Sequence, residues 1–318
     1  MNQDHSTNLG TGATRRQFIH ATAAASALAG LGVARSAFAQ TSETLKVGLI
    51  GCGGRGSGAA REALMADPNT ELVAVADAFE DKAKQCLRKF QKDGNIGPRV
   101  KVDEDHIFIG FDAYKNVVDS CDVVVLAEPP AFRPSHLKYA IEKGKHVFCE
   151  KPIAVDPTGV RSVMETCEQA KAKKLNIVSG LCYRYQFAKQ ATMQQIHDGA
   201  VGDIIALETK YNTGGLWSNE RKESWSDVEY QLRNWLYYCW LSGDHINEQH
   251  IHSLDKIAWA MGDQYPVKCV SSGGRACRTA PIYGNIYDHF NTTYEFANGV
   301  KCFSSCRQWE STSTNVSD

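Results

Sequence analysis

Three side chains in the sequence could share a proton transfer: Lys151, Glu248 and His252. Glu248 and His252 are four residues apart, so on a helix they lie on one face within reach of each other. A carboxylate that binds one imidazole nitrogen fixes the tautomer and leaves the other nitrogen able to accept a proton. The spacing therefore predicts that Glu248 positions His252 for acid–base work.

The stretch around this pair, GDHINEQHIHSLDKIAW from Gly243 to Trp259, is predicted to form one helix. At about 100° per residue, the apolar face carries Ile246, His250, Leu254, Ile257 and Met261, and the polar face carries His245, Glu248, His252, Asp255 and Trp259. We expect His250 to face the core, whereas the role of His245 stays open. A metal held by His245, Glu248 and His252 is disfavoured, because ligands spread over two turns seldom converge without help from another element.

Lys151 stands in Glu150-Lys151-Pro152, directly after the predicted strand HVFCE. Open α/β sheets bind their ligands at the carboxyl ends of parallel strands. Pro152 disfavours the helical conformation for Lys151, so the lysine is predicted to be extended and to face that crevice. A lysine there is suited to proton transfer or to stabilising an alkoxide.

A glycine-rich turn predicts a dinucleotide site beside this lysine. Its pattern is GxGxxG, placed after a strand and before a helix, and its predicted cofactor contacts are Gly51, Gly53, Gly54, Arg55 and Gly56, which would hold a pyrophosphate at the helix N-terminus. Asp77 ends the next strand, where a carboxylate binds an adenosine ribose. Asp77 would repel a 2′-phosphate, so NAD is favoured over NADP, although Arg55 could still reach such a phosphate.

Strands and helices alternate over residues 40–180, which predicts a doubly wound parallel sheet of the Rossmann type, within an α/β fold. From residue 181 to 318 the pattern changes to an α+β domain with an open, mostly antiparallel sheet. Asn298-Gly299 between two alternating runs predicts a hairpin with a two-residue turn. An aromatic-rich segment precedes the 243–259 helix; its aromatics could hold a sugar or belong to the core, and Arg233 is its predicted substrate contact.

Residues 1–39 are predicted to be a twin-arginine export signal. Arg15-Arg16 and Phe18 precede a weakly apolar stretch and the small-residue cleavage site Ala37-Phe38-Ala39. This order predicts a periplasmic or otherwise exported protein, and the alternative is a cytoplasmic protein with an Ala-rich N-terminal helix.

Composition restricts the partners of the mature chain. The 35 basic and 36 acidic residues are mixed, with a net charge of -1, so no nucleic acid and no anionic membrane is expected as a partner. No later stretch reaches the roughly 18 apolar residues of a membrane span. The 11 cysteines are odd in number and contain no CxxC pair, which predicts free thiols rather than a disulfide framework.

The sequence resembles the Gfo/Idh/MocA oxidoreductases, the family of glucose-fructose oxidoreductase and inositol dehydrogenase. The resemblance rests on GLIGCGGRG, on VVLAEPPAFRPSHLKYAIEKGKHVFCEKP and on the 243–259 stretch, and it covers nearly everything from Lys46 onward. It implies a dinucleotide-binding domain, a C-terminal sheet domain that shapes a sugar or cyclitol pocket, a homo-oligomer, and Lys151 in the active site. It also implies that Pro129, His136, Glu150 and Arg184 line the cofactor and substrate cleft.

The family's catalytic pattern matches at His252 and Asp255, whereas the family has Asp at the position of Glu248. Because family members continue well past the predicted hairpin, the resemblance also implies that this chain is truncated.

These residues lead to one favoured function and two alternatives. We expect an NAD-dependent oxidoreductase that moves a hydride to or from a secondary hydroxyl of a sugar, glycoside or cyclitol, with Lys151 and His252 sharing the proton. An exported enzyme would have to carry its cofactor with it, because free NAD is scarce outside the cytoplasm. That expectation keeps open a redox-neutral glycoside hydrolase or epimerase that acts through a keto sugar. The other alternative is a dinucleotide-binding sensor without catalysis.

Overall fold

A computed structural model of the chain describes residues 44–317. The predicted export signal at residues 1–39 lies outside the described residues. Contacts unite the chain from Leu45 onward into one compact unit, so the predicted boundary between residues 180 and 181 stays a prediction.

The first sheet is parallel and has six strands in the order β3-β2-β1-β4-β5-β6. The strands are β1 (Leu45–Ile50), β2 (Thr70–Asp77), β3 (Ile107–Ile109), β4 (Val123–Leu126), β5 (His146–Cys149) and β6 (Ile177–Ser179). The chain order reverses between β1 and β4, which is the switch point where such sheets bind their ligands. The predicted doubly wound Rossmann sheet is therefore confirmed.

Helices cover both faces of this sheet, which explains why its strands are apolar on both sides. They are α1 (Gly54–Ala66), α2 (Glu80–Lys92), α3 (Ala113–Ser120), α4 (Arg133–Glu142) and α5 (Pro157–Ala172). Leu49 and Leu64 belong to the core on one face, and Leu126 and Ile141 belong to the core on the other.

The second sheet has five strands in the order β11-β7-β10-β9-β8. They are β7 (Ala206–Thr213), β8 (Lys268–Gly274), β9 (His289–Glu295), β10 (Lys301–Gln308) and β11 (Asn315–Ser317). Only the β7–β10 pair is parallel among the strands of this sheet, so the prediction of a mostly antiparallel sheet is confirmed.

The β9–β10 hairpin forms as predicted, but its turn is longer than the two residues expected. Phe296 N donates to Val300 O at 2.9 Å, so three residues separate this hydrogen-bonded pair. Gly299 has φ +86, the left-handed conformation that a three-residue hairpin loop requires at its last position.

The second half of the chain contains α6 (Phe187–His197), α7 (Asp227–Arg233), α8 (Cys239–Ser242), α9 (Asp244–Glu248) and α10 (Ile251–Ala260).

The prediction of a single helix over residues 243–259 is wrong, because the structure divides this stretch into α9 and α10. A continuous helix would bond the carbonyl of Glu248 to the N–H of His252. Instead His252 N bonds to Gln249 O at 3.3 Å, and the Glu248 carbonyl accepts from Lys151 Nζ. The interruption thus makes a backbone acceptor available to the lysine.

Candidate functional site: a dinucleotide cleft with a lysine–glutamate pair

A cavity of about 490 Å³ lies at the carboxyl ends of β1, β2 and β4. It brings together predicted cofactor residues that are far apart in sequence, namely Gly51, Gly53, Gly54, Arg55, Gly56, Asp77, Pro129 and His136. The cavity therefore lies at the switch point of the sheet, where a dinucleotide binds in this fold.

The glycines of the turn have two separate functions. Gly51 has φ +91, and a Cβ atom at Gly56 would lie 1.8 Å from the carbonyl oxygen of Gly51, so these two positions allow the turn to pack. At Gly53 and Gly54 a Cβ would meet no described atom within 4 Å, and both residues line the cavity. Open backbone at the start of α1 is the arrangement that accommodates a pyrophosphate.

Asp77 lines the same cavity and also supports the turn. Its Oδ2 accepts from Cys52 N at 2.8 Å, and its Oδ1 accepts from Phe79 N at 2.9 Å. Burial raises the pKa of Asp77, although these two backbone bonds act in the opposite direction. The carboxylate therefore connects the glycine turn to the ribose end of the cavity.

Arg55 points away from Asp77. Its Nε donates to Glu150 Oε1 at 2.5 Å, and Glu150 follows β5, on the other side of β1 from β2. The predicted possibility that Arg55 reaches a 2′-phosphate next to Asp77 does not fit this position, because the guanidinium is paired at the opposite end of the cleft.

The loop after β4 is held by two buried side chains, His136 and Arg133. His136 Nδ1 lies 3.0 Å from Glu128 Oε1, and its ring stacks on Tyr114 with centroids 3.9 Å apart. The buried Arg133 donates to the carbonyl of Glu128 at 2.6 Å and also to the carbonyl of Pro152. Arg133 thus joins the loops after β4 and β5, a contact between distant segments for which the sequence carries no signal.

Lys151 pairs with Glu248 at the end of β5. Lys151 Nζ lies 2.6 Å from Glu248 Oε1, and the two side chains are only 15% and 13% exposed. The predicted pairing of Glu248 with His252 is therefore wrong for this structure: the carboxylate holds the lysine, because α9 places Glu248 against the end of β5.

His252 lies next to this pair and is neutral at pH 7. Burial lowers its pKa to about 4, with further lowering by the positive charges of Lys151, Lys256 and Arg55. Its ring lies 4.9 Å from the ring of Tyr183, and its Nδ1 has no hydrogen-bond partner among residues 44–317. The site therefore combines a neutral imidazole, an ammonium and a carboxylate.

The two arginines predicted as substrate contacts are both engaged in ion pairs. Arg184 binds Asp255 through three bonds of 2.8, 2.9 and 3.1 Å and Asp263 through one of 2.8 Å. These carboxylates raise the pKa of Arg184. Arg233 binds Asp81 and lies over Phe79, close to Asp77. The structure thus places Arg233 at the cofactor end of the cavity and not beside Lys151.

The other two histidines of the 243–259 stretch are buried. His250 Nε2 lies 2.6 Å from Ser304 Oγ, and burial lowers its pKa to about 4, so His250 faces the core as predicted. His245, whose role was open, lies 3.0 Å from Asp244 Oδ1 and against Phe290.

Neither a metal cluster nor a disulfide is present in the described part of the chain. Within residues 44–317 no three His, Cys, Asp or Glu side chains are grouped so that they could hold a metal. All 11 cysteines lie in this range and are free thiols. No helix in it is both long and apolar enough to span a membrane.

Comparisons with known proteins give the same assignment for the first domain. Residues 45–177 match the Gfo/Idh/MocA family, described as an oxidoreductase family with an NAD-binding Rossmann fold. An inositol 2-dehydrogenase of Rhizobium meliloti is 26% identical over 256 residues, covering 80% of this chain and 66% of that protein. A 2,7-anhydro-N-acetylneuraminate hydratase of Escherichia coli is 28% identical over 179 residues, covering 56% of this chain and 43% of that protein.

The alignments thus span less than two thirds of either relative. Among solved structures, the scyllo-inositol dehydrogenase of Lactobacillus casei with bound NAD(H) and scyllo-inositol is similar in fold, with a TM-score of 0.65 and 18% identity over 86% of this chain and 72% of that one. Residues 45–177 of this chain therefore match the NAD-binding Rossmann domain of the Gfo/Idh/MocA oxidoreductase family.

Proposed function

We propose that the chain is an NAD-dependent oxidoreductase that transfers a hydride to or from a carbon bearing a secondary hydroxyl in a sugar, glycoside or cyclitol. The observation that carries this proposal is the Lys151–Glu248 pair, with His252 beside it, at the end of the strand that adjoins the dinucleotide cleft. Relatives named for inositol oxidation support the substrate class.

The three side chains divide the proton chemistry. Bound NAD supplies the acceptor for the hydride that leaves the carbinol carbon. The Lys151 ammonium, held in place by Glu248, donates a hydrogen bond to the substrate oxygen and stabilises the negative charge that develops there. Neutral His252 accepts the hydroxyl proton, directly or through Lys151. In the direction of reduction the same groups return that proton.

A redox-neutral reaction is the second candidate. A relative named as a hydratase shares 28% identity with this chain over 179 residues, and a keto sugar formed transiently would accept its hydride back before release. Under this alternative a glycoside is cleaved or epimerised with no net change in the cofactor. The two candidates are separated by following product and nicotinamide absorbance together: a net oxidation reduces bound NAD, whereas a redox-neutral reaction forms product without a lasting change.

A non-catalytic sensor that binds a dinucleotide is the third candidate function. The presence of Lys151, Glu248 and His252 disfavours a sensor, because a sensor needs no buried ammonium and neutral imidazole beside the cofactor.

We also propose that Arg15-Arg16 directs export, and that the folded protein takes its dinucleotide with it.

Lys151→Ala and His252→Ala enzymes test the proposal. Each variant is expected to lose at least about 100-fold in turnover on a substrate found by screening glycosides and inositols, since acid–base groups contribute roughly 10²–10⁴-fold. Lys143→Ala is the matched control, because Lys143 is an exposed lysine that pairs with Asp119 away from the cleft. Near-parental turnover in both active-site variants would refute the proposed chemistry.

A further inference from the structure

Arg233 lies in the wall of the dinucleotide cavity, although it belongs to the second half of the chain. Together with Phe79 and Lys82 it lines the cavity next to Asp77. Its guanidinium carbon is 3.9 Å from the centroid of the Phe79 ring. Since an acid at the end of the second strand binds the adenosine ribose in this fold, Arg233 and Phe79 lie where the adenosine half of a dinucleotide belongs.

The guanidinium is fixed in this position by its neighbours. Arg233 donates to Asp81 through two bonds of 3.1 and 2.9 Å and to Glu229 Oε1 at 2.8 Å. The ring of Trp225 lies 5.0 Å from it, and its side chain is only 13% exposed. The pairing with Asp81 lowers the pKa of that carboxyl. A planar cation held in this way can stack on a base or an aromatic ring without losing further side-chain freedom.

The rest of this segment is held together by a pair of asparagines. Asn219 N donates to Asn234 Oδ1 at 2.7 Å, Asn234 Nδ2 donates to Asn219 O at 3.1 Å, and Asn219 Nδ2 donates to Arg233 O at 2.7 Å. Asn234 is fully buried. These bonds connect the two ends of the segment, whose cavity-lining members are Trp217, Asn219, Leu232, Arg233 and Trp235.

We propose that segment 217–235 is a cover for the adenosine half of bound NAD. The stacked Arg233–Phe79 pair, here called the clamp, is the surface that the adenosine packs against. Asp81 and Glu229 neutralise the guanidinium, so the clamp suits a neutral adenine and an unphosphorylated ribose rather than a 2′-phosphate. Release of the cofactor then requires the Arg233–Asp81 pair to open, which slows dissociation. This inference depends on NAD binding and is independent of the substrate proposed above.

Fragment binding to Arg233→Ala protein tests the cover directly. After charcoal removes copurified dinucleotide, the affinities for NADH, ADP-ribose and nicotinamide mononucleotide are measured by calorimetric titration. Loss of the clamp is expected to lower the affinity for NADH and for ADP-ribose about tenfold, since one such contact contributes roughly a factor of ten to affinity. The affinity for the mononucleotide should be unchanged. The control is Arg221→Ala, because Arg221 pairs with Asp227 in the same segment and does not line the cavity; its affinities should equal those of the parent.

Two outcomes would overturn the proposal. One is an unchanged affinity of folded Arg233→Ala protein for ADP-ribose. The other is an equal loss of affinity for ADP-ribose and for the mononucleotide, together with a lower melting temperature. That result would mean that Arg233 only joins the two halves of the chain. If Arg233→Ala protein does not fold by circular dichroism, Phe79→Leu replaces it with the same expectations.

Asp81→Asn gives an independent readout of the same geometry. This variant leaves the guanidinium over Phe79 but removes one of the two carboxylates that neutralise it, Glu229 being the other. The ratio of NADP affinity to NAD affinity is therefore expected to rise at least about fivefold. An unchanged ratio would contradict the placement of Arg233 beside the adenosine ribose.

Discussion

Buried neutral histidines make stability depend on pH. The pKa of His250 is lowered from 6.5 to about 4 by burial, so the unfolded chain takes up a proton more readily in this range. The contribution to stability is present above pH 6.5 and is lost as the pH falls toward 4. Between pH 7 and pH 5 the loss due to His250 alone is expected to be about 2 kcal/mol, measured by urea unfolding.

A His250→Gln variant should lose correspondingly less stability over the same interval, whereas a variant of the exposed His197 should behave like the parent. Equal losses in the parent and in His250→Gln would show that His250 does not titrate in this way.

The partner of Glu248 could not be predicted from the sequence. Motifs and helical spacing do select the residue types Lys151, Glu248 and His252. Lys151 and Glu248, however, are 97 positions apart and meet only because α9 packs against the end of β5. Helical spacing therefore favours the neighbour at four residues, His252, over the distant lysine that the fold brings closer.

Among the elements, the strands and most helices could be predicted, but the break between α9 and α10 could not. The periodicity of 3.6 continues through residues 249 and 250, so it correctly predicts that His250 faces the core even though the helix ends at Glu248. The break depends on a tertiary bond, from Lys151 to the Glu248 carbonyl. Such competition for a backbone acceptor leaves no pattern in the local sequence.

Two glycines of α1 should respond in opposite directions to alanine. Gly56→Ala places a Cβ against the carbonyl of Gly51, so it is expected to cost more than about 2 kcal/mol and to weaken NAD binding. At Gly58 no described atom lies within 4 Å of a Cβ. Gly58→Ala should therefore stabilise the helix by about 0.5–1 kcal/mol. Thermal unfolding and NAD titration check both, and a Gly56→Ala protein as stable as the parent would rule out the close packing of the turn.

For the whole molecule, the alternation of strands and helices was enough to predict the Rossmann sheet and the change to a second sheet. The role of Arg233 was not predictable from the sequence. It was assigned to a substrate because aromatic and polar residues surround it, whereas the fold places it beside Asp77 at the other end of the cleft. The composition of a segment can indicate that it lines a binding site, but the packing of the fold determines which site it lines.

The proposed export route concerns the whole molecule as well. Replacing Arg15 and Arg16 by lysine is expected to leave the full-length chain in the cytoplasm, with its NAD and with an unchanged melting temperature, because both residues precede the described fold. Cell fractionation followed by immunoblotting measures the distribution. A variant exported as efficiently as the parent would exclude the twin-arginine route.

The central claim is that hydride moves between a substrate carbon and the bound nicotinamide under the control of Lys151, Glu248 and His252. The most direct measurement supplies the purified holoenzyme with glycosides and inositols deuterated at their secondary carbons and analyses the recovered cofactor by mass spectrometry. For a net oxidation, the account predicts deuterium in the nicotinamide ring with the parent enzyme and none with Lys151→Ala. Net oxidation of a deuterated substrate with no deuterium in the cofactor would contradict it.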